Sequence, residues 1–187
     1  MIPAALRSDR DGQAASIAVP DVLWPELRSD HAGETGAVMI YRGILAVSRD
    51  QEVRRFASEH LATERGHLQL MEALVPPHRR SRLLGIWRLA GWLTGALPAL
   101  FGAGAVFRTI EAVETFVDHH YAAQTNALAG HDAYRALHDL LEQCRLDEVE
   151  HRDDAQRRLG PPGAIGRVWA GIVGHGSRVG VLIAARV

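Results

Sequence analysis

Two short patterns, each written twice, constrain this chain more than anything else in it. Glu64 and His67 form one Glu-x-x-His pair, and Glu148 and His151 form another. Residues three apart on a helix share a face, so each pair can turn a carboxylate oxygen and an imidazole nitrogen toward one ion. That donor set suits a first-row metal such as iron or manganese. Alone the pairs carry little weight, because 11 glutamates and 10 histidines among 187 residues make one such spacing unsurprising, and an isolated pair is ordinarily a solvated helix face. Upstream of each pair, however, stands Glu-Thr-x5-Tyr, once as Glu34-Thr35 with Tyr41 and once as Glu114-Thr115 with Tyr121. The order Glu34, Glu64 with His67, Glu114, Glu148 with His151 is one half-site written twice.

Counting turns shows that the six side chains can meet. Glu34 and Glu64 lie nearly equal distances either side of the turn expected at Arg49-Asp50, and Glu114 and Glu148 do the same around Gly130 and Asp132. At about 1.5 Å of rise per residue, each leg is roughly 21 to 24 Å long, so all four segments reach one level of a bundle. A bundle that supplies one Glu from each of two helices and Glu-x-x-His from each of the other two is the ferritin-like di-metal carboxylate arrangement. The expected fold is therefore all-α: a ferritin-like four-helix bundle of two hairpins, 25–75 and 106–159, joined by a long apolar crossover over 78–105. An additional amphipathic helix is expected over 164–187, and residues 1–20 read as a loose N-terminal tail before a single domain over 21–187.

Within each expected helix the inward stripe is apolar except at the candidate ligands. Helix one, about Pro25 to Ser48, reads Leu27, His31, Glu34, Val38, Tyr41, Leu45. An unpaired carboxylate inside such a stripe is costly and asks for a cation; by itself Glu34 could equally be a solvent-facing residue on a wider stripe. Gly33 and Gly36 flank it, which implies close approach of a neighbouring helix or a substrate. Helix two, from an N-cap at Asp50 to Leu74, reads Phe56, His60, Glu64, His67, Met71, Leu74, with His60 a neighbour of the ligands and Pro76-Pro77 ending the helix. Helix four reads Phe107, Ile110, Glu114, Val117, Tyr121, Leu128, and only one of His119 and His120 can share that face. Helix five, capped by Asp132, reads Leu137, Leu141, Cys144, Glu148, His151, Ala155, with Asp147 placed either to orient a ligating imidazole or simply to be solvated.

The stretch from Leu83 to Phe107 is the most ambiguous. As a crossover helix it spans the bundle; as a transmembrane helix its length is nearly sufficient, but Arg88, Pro98 and five glycines interrupt it. Trp87 and Trp92 favour a third role, lying in a membrane interface. The Ala164–Val187 stretch is also amphipathic, with Trp169, Ile172 and Leu182 set against Arg167, Arg178 and Arg186. Two such segments exceed what a four-helix core can cover, and a lipid surface or greasy partner is their natural sink. The near balance of 21 basic and 22 acidic residues gives no reason to expect nucleic acid, and Cys144, the lone cysteine, reads as core filler.

At the level of residues the chain resembles the demethoxyubiquinone hydroxylase family of ubiquinone biosynthesis. The resemblance rests on Asp30-His31-Ala32-Gly33-Glu34-Thr35-Gly36-Ala37, on Glu64 and His67, on Val113-Glu114 leading to His119-His120-Tyr121, and on Asp147-Glu148 with Glu150-His151. It implies that Glu34, Glu64, His67, Glu114, Glu148 and His151 ligate two irons, with His120 and Tyr121 near the centre in a catalytic role. It further implies a non-haem di-iron monooxygenase that hydroxylates the ring of demethoxyubiquinone with O2 and reducing equivalents from NADH. Such an enzyme would sit peripherally on a membrane: the cytoplasmic side of the cell membrane in a bacterium, the matrix side of the inner mitochondrial membrane in a eukaryote. Partner proteins of ubiquinone biosynthesis and a homo-oligomer stay open. No Gly-x-Gly-x-x-Gly is present to bind a dinucleotide. Three alternatives stand beside this reading: a di-iron oxygenase for another lipid or aromatic, a ferritin-like iron-oxidising or storage protein, and a metal-free helical module.

Overall fold

A computed structural model describes residues 17–161 and 163–187, and the first 16 residues of the expected tail lie outside it. The described part is all helical, a ferritin-like bundle flanked by two more helices. In chain order these are α1 (Trp24–Val47), α2 (Gln51–Leu74), α3 (Leu84–Ala99), α4 (Ala103–Leu128), α5 (Arg135–Arg157) and α6 (Ala164–Ala184), with short 3-10 turns at Asp21–Leu23, Pro77–Arg79 and Asp132–Tyr134. Ile17 and Val19, within the expected tail, pack against the core near Leu27 and Met71.

The helix ends follow local chemistry. Pro25 sits in the first turn of α1, where a missing N–H costs nothing. The Asp50 carboxylate accepts hydrogen bonds from the N–H groups of Glu52 (2.8 Å) and Val53 (3.2 Å), so it caps α2 as expected. Helix five departs from expectation. Asp132 opens a 3-10 turn and pairs with Arg135 across it, and α5 begins at Arg135 behind Tyr134 with no side-chain cap.

Helices α1, α2, α4 and α5 form the bundle, and their inward stripes are buried almost as the periodicity requires. The exceptions are Leu45 and Val117, which are only partly buried and pack against the core, Ile44 being buried in place of Leu45. Two apolar clusters flank the polar centre, one around Tyr41, Phe56 and Ile110, the other around Leu27, Met71 and Leu141. On the outside of the second hairpin, Asp118 of α4 accepts from Arg145 (2.8 Å) and Arg152 (2.7 Å) of α5.

The crossover does more than connect. α3 runs alongside α1 in the same direction, and the two backbones touch. A Cβ added at Gly91 would lie 2.3 Å from the carbonyl oxygen of Gly36, one at Gly95 would lie 1.9 Å from that of Ile40, and one at Gly43 would lie 2.2 Å from that of Trp92. Gly36 is thus approached by a neighbouring helix, one of the two possibilities its position left open, whereas a Cβ at Gly33 would meet nothing within 4 Å. α6 lies across α4 and α1, fastened by Trp169 Nε1 donating to Thr109 Oγ1 (2.8 Å) and by Arg28 donating to the Ala185 carbonyl (3.1 Å). Among the described residues no helix is long and apolar enough to cross a membrane, which removes the transmembrane reading of α3.

Gly95→Val should lower stability by about 1 to 3 kcal/mol or more through overpacking, a loss of several degrees in thermal melting. Gly171→Ala, whose new Cβ would meet nothing, should be neutral or stabilising; equal behaviour of the two variants would contradict the backbone contact.

Candidate metal centre and adjoining cavity

The six side chains singled out by the repeats converge in the middle of the bundle, all of them buried. They form two overlapping groups, Glu34, Glu64, His67 and Glu148 in one and Glu64, Glu114, Glu148 and His151 in the other. In each group one ligand atom per residue lies within 4.8 Å of the rest. Glu64 and Glu148 belong to both. The shared pair comes from the two Glu-x-x-His helices, and each helix lends its histidine to a different group. His67 Nδ1 on α2 is 2.9 Å from Glu148 Oε1 on α5, and His151 Nδ1 on α5 is 2.9 Å from Glu64 Oε1 on α2.

The other half of each repeat obeys the same exchange. α1 and α4 are antiparallel, so the tyrosine two turns beyond each glutamate lands opposite the glutamate of the other helix. Tyr121 Oη donates to Glu34 Oε1 at 2.6 Å, and Tyr41 Oη donates to Glu114 Oε1 at 3.3 Å. Burial, and then the neighbouring carboxylates, push both phenols well above their ordinary pKa, so both remain protonated donors.

Whether this set fits a metal can be judged from its unmet polar atoms. Glu34 Oε2, both oxygens of Glu64, Glu148 Oε2, His67 Nδ1 and His151 Nδ1 are buried without a hydrogen-bond partner, although several lie close to one another. Buried polar atoms are normally satisfied. Here the orphans are lone-pair donors facing a common centre, and cations satisfy such a set. Without a cation the group balances its own charge. Burial first, then Glu64 and Glu148, raise the carboxyls of Glu34 and Glu114 well above the ordinary range. Burial opposes charging of the imidazoles, but adjacent carboxylates outweigh it, raising His67 strongly and His151 to about 11. Burial disfavours the Glu148 anion, yet the two histidines hold its pKa down.

Around this centre sit groups with supporting contacts. His67 Nε2 is 3.0 Å from Asp147 Oδ2, so Asp147 orients that imidazole. His60 packs edge-on against His151, with 4.2 Å between ring centroids, and its Nε2 is 2.9 Å from Asp154 Oδ2. His120, of the His-His pair, turns inward and lies 2.9 Å from Asp30 Oδ1, while His119 is exposed. Asp30 and its second donor Gln124 (2.9 Å) were not singled out as site residues in the sequence, although Asp30 opens the Asp-His-Ala-Gly-Glu run. Tyr41 was legible only as part of a repeat. His31, in the same run, joins neither group. It is buried without a partner for either ring nitrogen, and burial, helped by Arg80 and Arg88, lowers its pKa to about 4.

A cavity of about 370 Å³ adjoins the centre. Glu34, Glu114, Glu148, His120 and Tyr121 line its floor; Trp87, Gly91 and Thr94 of α3 and Trp169, Ile172 and Gly176 of α6 are among its walls. It is chiefly apolar and passes between the two helices that the four-helix core does not need.

Fold and site together define a ferritin-like helical protein whose two overlapping carboxylate–histidine groups could hold metal ions beneath an apolar cavity. The sequence matches the family model described as "Ubiquinone biosynthesis protein COQ7" over residues 22–184, and the chain belongs to that family. It is 35% identical over 164 residues to the 3-demethoxyubiquinol 3-hydroxylase of Rhodospirillum rubrum, covering 86% of this chain and 76% of the relative. It is 32% identical over 168 residues to the mitochondrial NADPH-dependent 3-demethoxyubiquinone 3-hydroxylase of Homo sapiens, with the same two shares. The corresponding protein of Rattus norvegicus is 35% identical over 131 residues, 68% of this chain and 60% of the relative.

Filling the centre must displace protons. His151, held near 11, carries one at pH 7, and the raised carboxyls of Glu34 and Glu114 bind theirs more tightly than usual. Loading a divalent ion should therefore release protons and weaken as pH falls. Calorimetry in two buffers of different ionisation enthalpy reads this directly; a heat independent of buffer would contradict it.

Proposed function

We propose that this chain is a monooxygenase that hydroxylates the ring of demethoxyubiquinone in ubiquinone biosynthesis, with two irons held by Glu34, Glu64, His67, Glu114, Glu148 and His151. The observation that carries the reading is the junction of two overlapping metal-capable groups with an apolar cavity floored by three of their carboxylates. The names of the relatives, hydroxylases of demethoxyubiquinol or demethoxyubiquinone, support the same reaction class and substrate. Residues 21–187 act as one unit in this reading.

When bound, the iron pair supplies the redox capacity to activate O2 for ring hydroxylation. The protein's own part is positional. Glu64 and Glu148, common to both groups, would be shared between the two metal positions, and Glu34 with His67 and Glu114 with His151 would complete them. The cavity walls hold the quinol ring against the carboxylate floor and keep bulk water from it. Tyr121, whose hydroxyl hydrogen is committed to Glu34, and His120, bonded to Asp30, stand at the cavity floor beside the carboxylates, where the Tyr121 oxygen can accept a hydrogen bond from a ring hydroxyl. The sequence has no Gly-x-Gly-x-x-Gly to hold a dinucleotide. NADH is the expected donor; two of the relatives are named NADPH-dependent, and turnover with each nucleotide separates them.

The isoprenoid tail leaves between α3 and α6, and both helices carry exposed apolar rows. Leu89 (61%), Leu97 and Phe101 (81%) extend along α3 and its end, and Val168 (64%), Ile172 and Leu182 lie along α6. These rows rest on a membrane surface, making the protein a peripheral one, and exposed arginines at their edges face the headgroups.

Glu34→Ala and Glu148→Ala should each abolish hydroxylation and lower bound iron; turnover at the normal rate in either would contradict the assignment. In a cell blocked at this hydroxylation, the wild-type chain should clear accumulated demethoxyubiquinone, and no clearance would sink the proposed reaction. Ending the chain after Gly163 should reduce flotation with liposomes while the bundle keeps its helical signal; undiminished flotation would remove α6 from the membrane surface.

A further inference from the structure

The half-site is written twice, but its supports are not. In the second Glu-x-x-His the residue before the glutamate is Asp147, and its carboxylate reaches across to the histidine of the first, with Oδ2 3.0 Å from His67 Nε2. The equivalent residue in the first Glu-x-x-His is Thr63. It has no carboxylate to offer His151, whose ring packs against His60 instead. Asp147 is itself held in place by Gln143 Nε2, which donates to its other oxygen at 3.0 Å. A carboxylate only accepts, so His67 carries a hydrogen on Nε2, which leaves Nδ1 as the nitrogen that faces the cluster and can ligate. The glutamates differ in the same sense. Glu34 is fastened by Tyr121 at 2.6 Å, leaving Oε2 turned inward without a partner, whereas Glu114 is held by Tyr41 only at 3.3 Å. Both asymmetries favour the same position.

We infer that the two metal positions are unequal: the one made by Glu34 and His67 with the shared Glu64 and Glu148 binds first and more tightly, because Asp147 and Tyr121 preorganise its two private ligands. The position made by Glu114 and His151 fills second. Asp147 is thus a positioning residue acting through His67. An outer carboxylate on a ligating imidazole fixes the tautomer and ring orientation and raises donor strength, and its removal typically costs about 10- to 100-fold in metal affinity. This inference rests on the metal reading of the site proposed above.

The test uses the full chain, freed of metal and titrated anaerobically with Co2+ alone. The expected isotherm has two steps, the first about 10- to 100-fold tighter. With one equivalent of Co2+, the anomalous-scattering peak in crystals should lie between Glu34 and His67. Asp147→Asn should weaken the first step by a similar factor and spare the second, with an unchanged helical circular-dichroism signal reporting an intact bundle. Thr63→Asp, which writes the missing support into the other half, should strengthen the second step. Two indistinguishable steps, a first peak beside His151, or a first step unmoved in Asp147→Asn would each overturn the inequality while leaving the metal centre standing. Failure to bind Co2+ at all would overturn both.

Discussion

Four glutamates and two histidines buried at one level of a helical bundle are an electrostatic liability around which the rest of this protein is arranged. Isolated carboxylates in an apolar core are so costly that they take up protons or find cations. Here both responses are visible. Two carboxyls and two imidazoles have affinities for protons raised by burial or by one another, and the atoms left without a regular hydrogen bond crowd against each other at the centre. The apolar clusters on either side, around Phe56 and around Leu141, supply the burial that offsets this polar layer and fix the four helices at the register the layer requires.

The bundle was legible in the sequence because its chemistry is periodic. Glu-x-x-His and Glu-Thr-x5-Tyr are separated by equal runs from their turns, and antiparallel helices convert equal runs into equal depth. The same logic explains the exchanged tyrosines: a residue two turns past its glutamate must meet the other helix's glutamate. Other features were less readable, for identifiable reasons. The cap of α5 was misplaced because a 3-10 turn inserted at Asp132 moves the helix start by two residues without altering the apolar period. Leu45 and Ile44 exchange roles because α3 covers a second side of α1, so that helix has more than one buried face.

The position of α3 was the largest gap. Its high apolar content is compatible with a buried helix, a membrane span or a surface helix, and periodicity alone does not separate these. The separating signal was steric. Gly91-x-x-x-Gly95 on α3, with Gly43 on α1, lets two backbones touch where a side chain would collide. Asp30 was missed as a site residue for a different reason. Its partner His120 lies on another helix, 90 positions away, and neither residue's spacing announces the other.

The interlocked glycines also divide the cavity into two mechanically different sides. One wall, α3, is pressed backbone to backbone onto α1, the helix that carries Glu34, so neither can be thickened at the contact without shifting the other. The glycines of the opposite wall, α6, meet only side chains or open space. Bulk can therefore be added on the C-terminal side without meeting backbone, whereas at Gly91 or Gly95 it would displace the strut bearing Glu34.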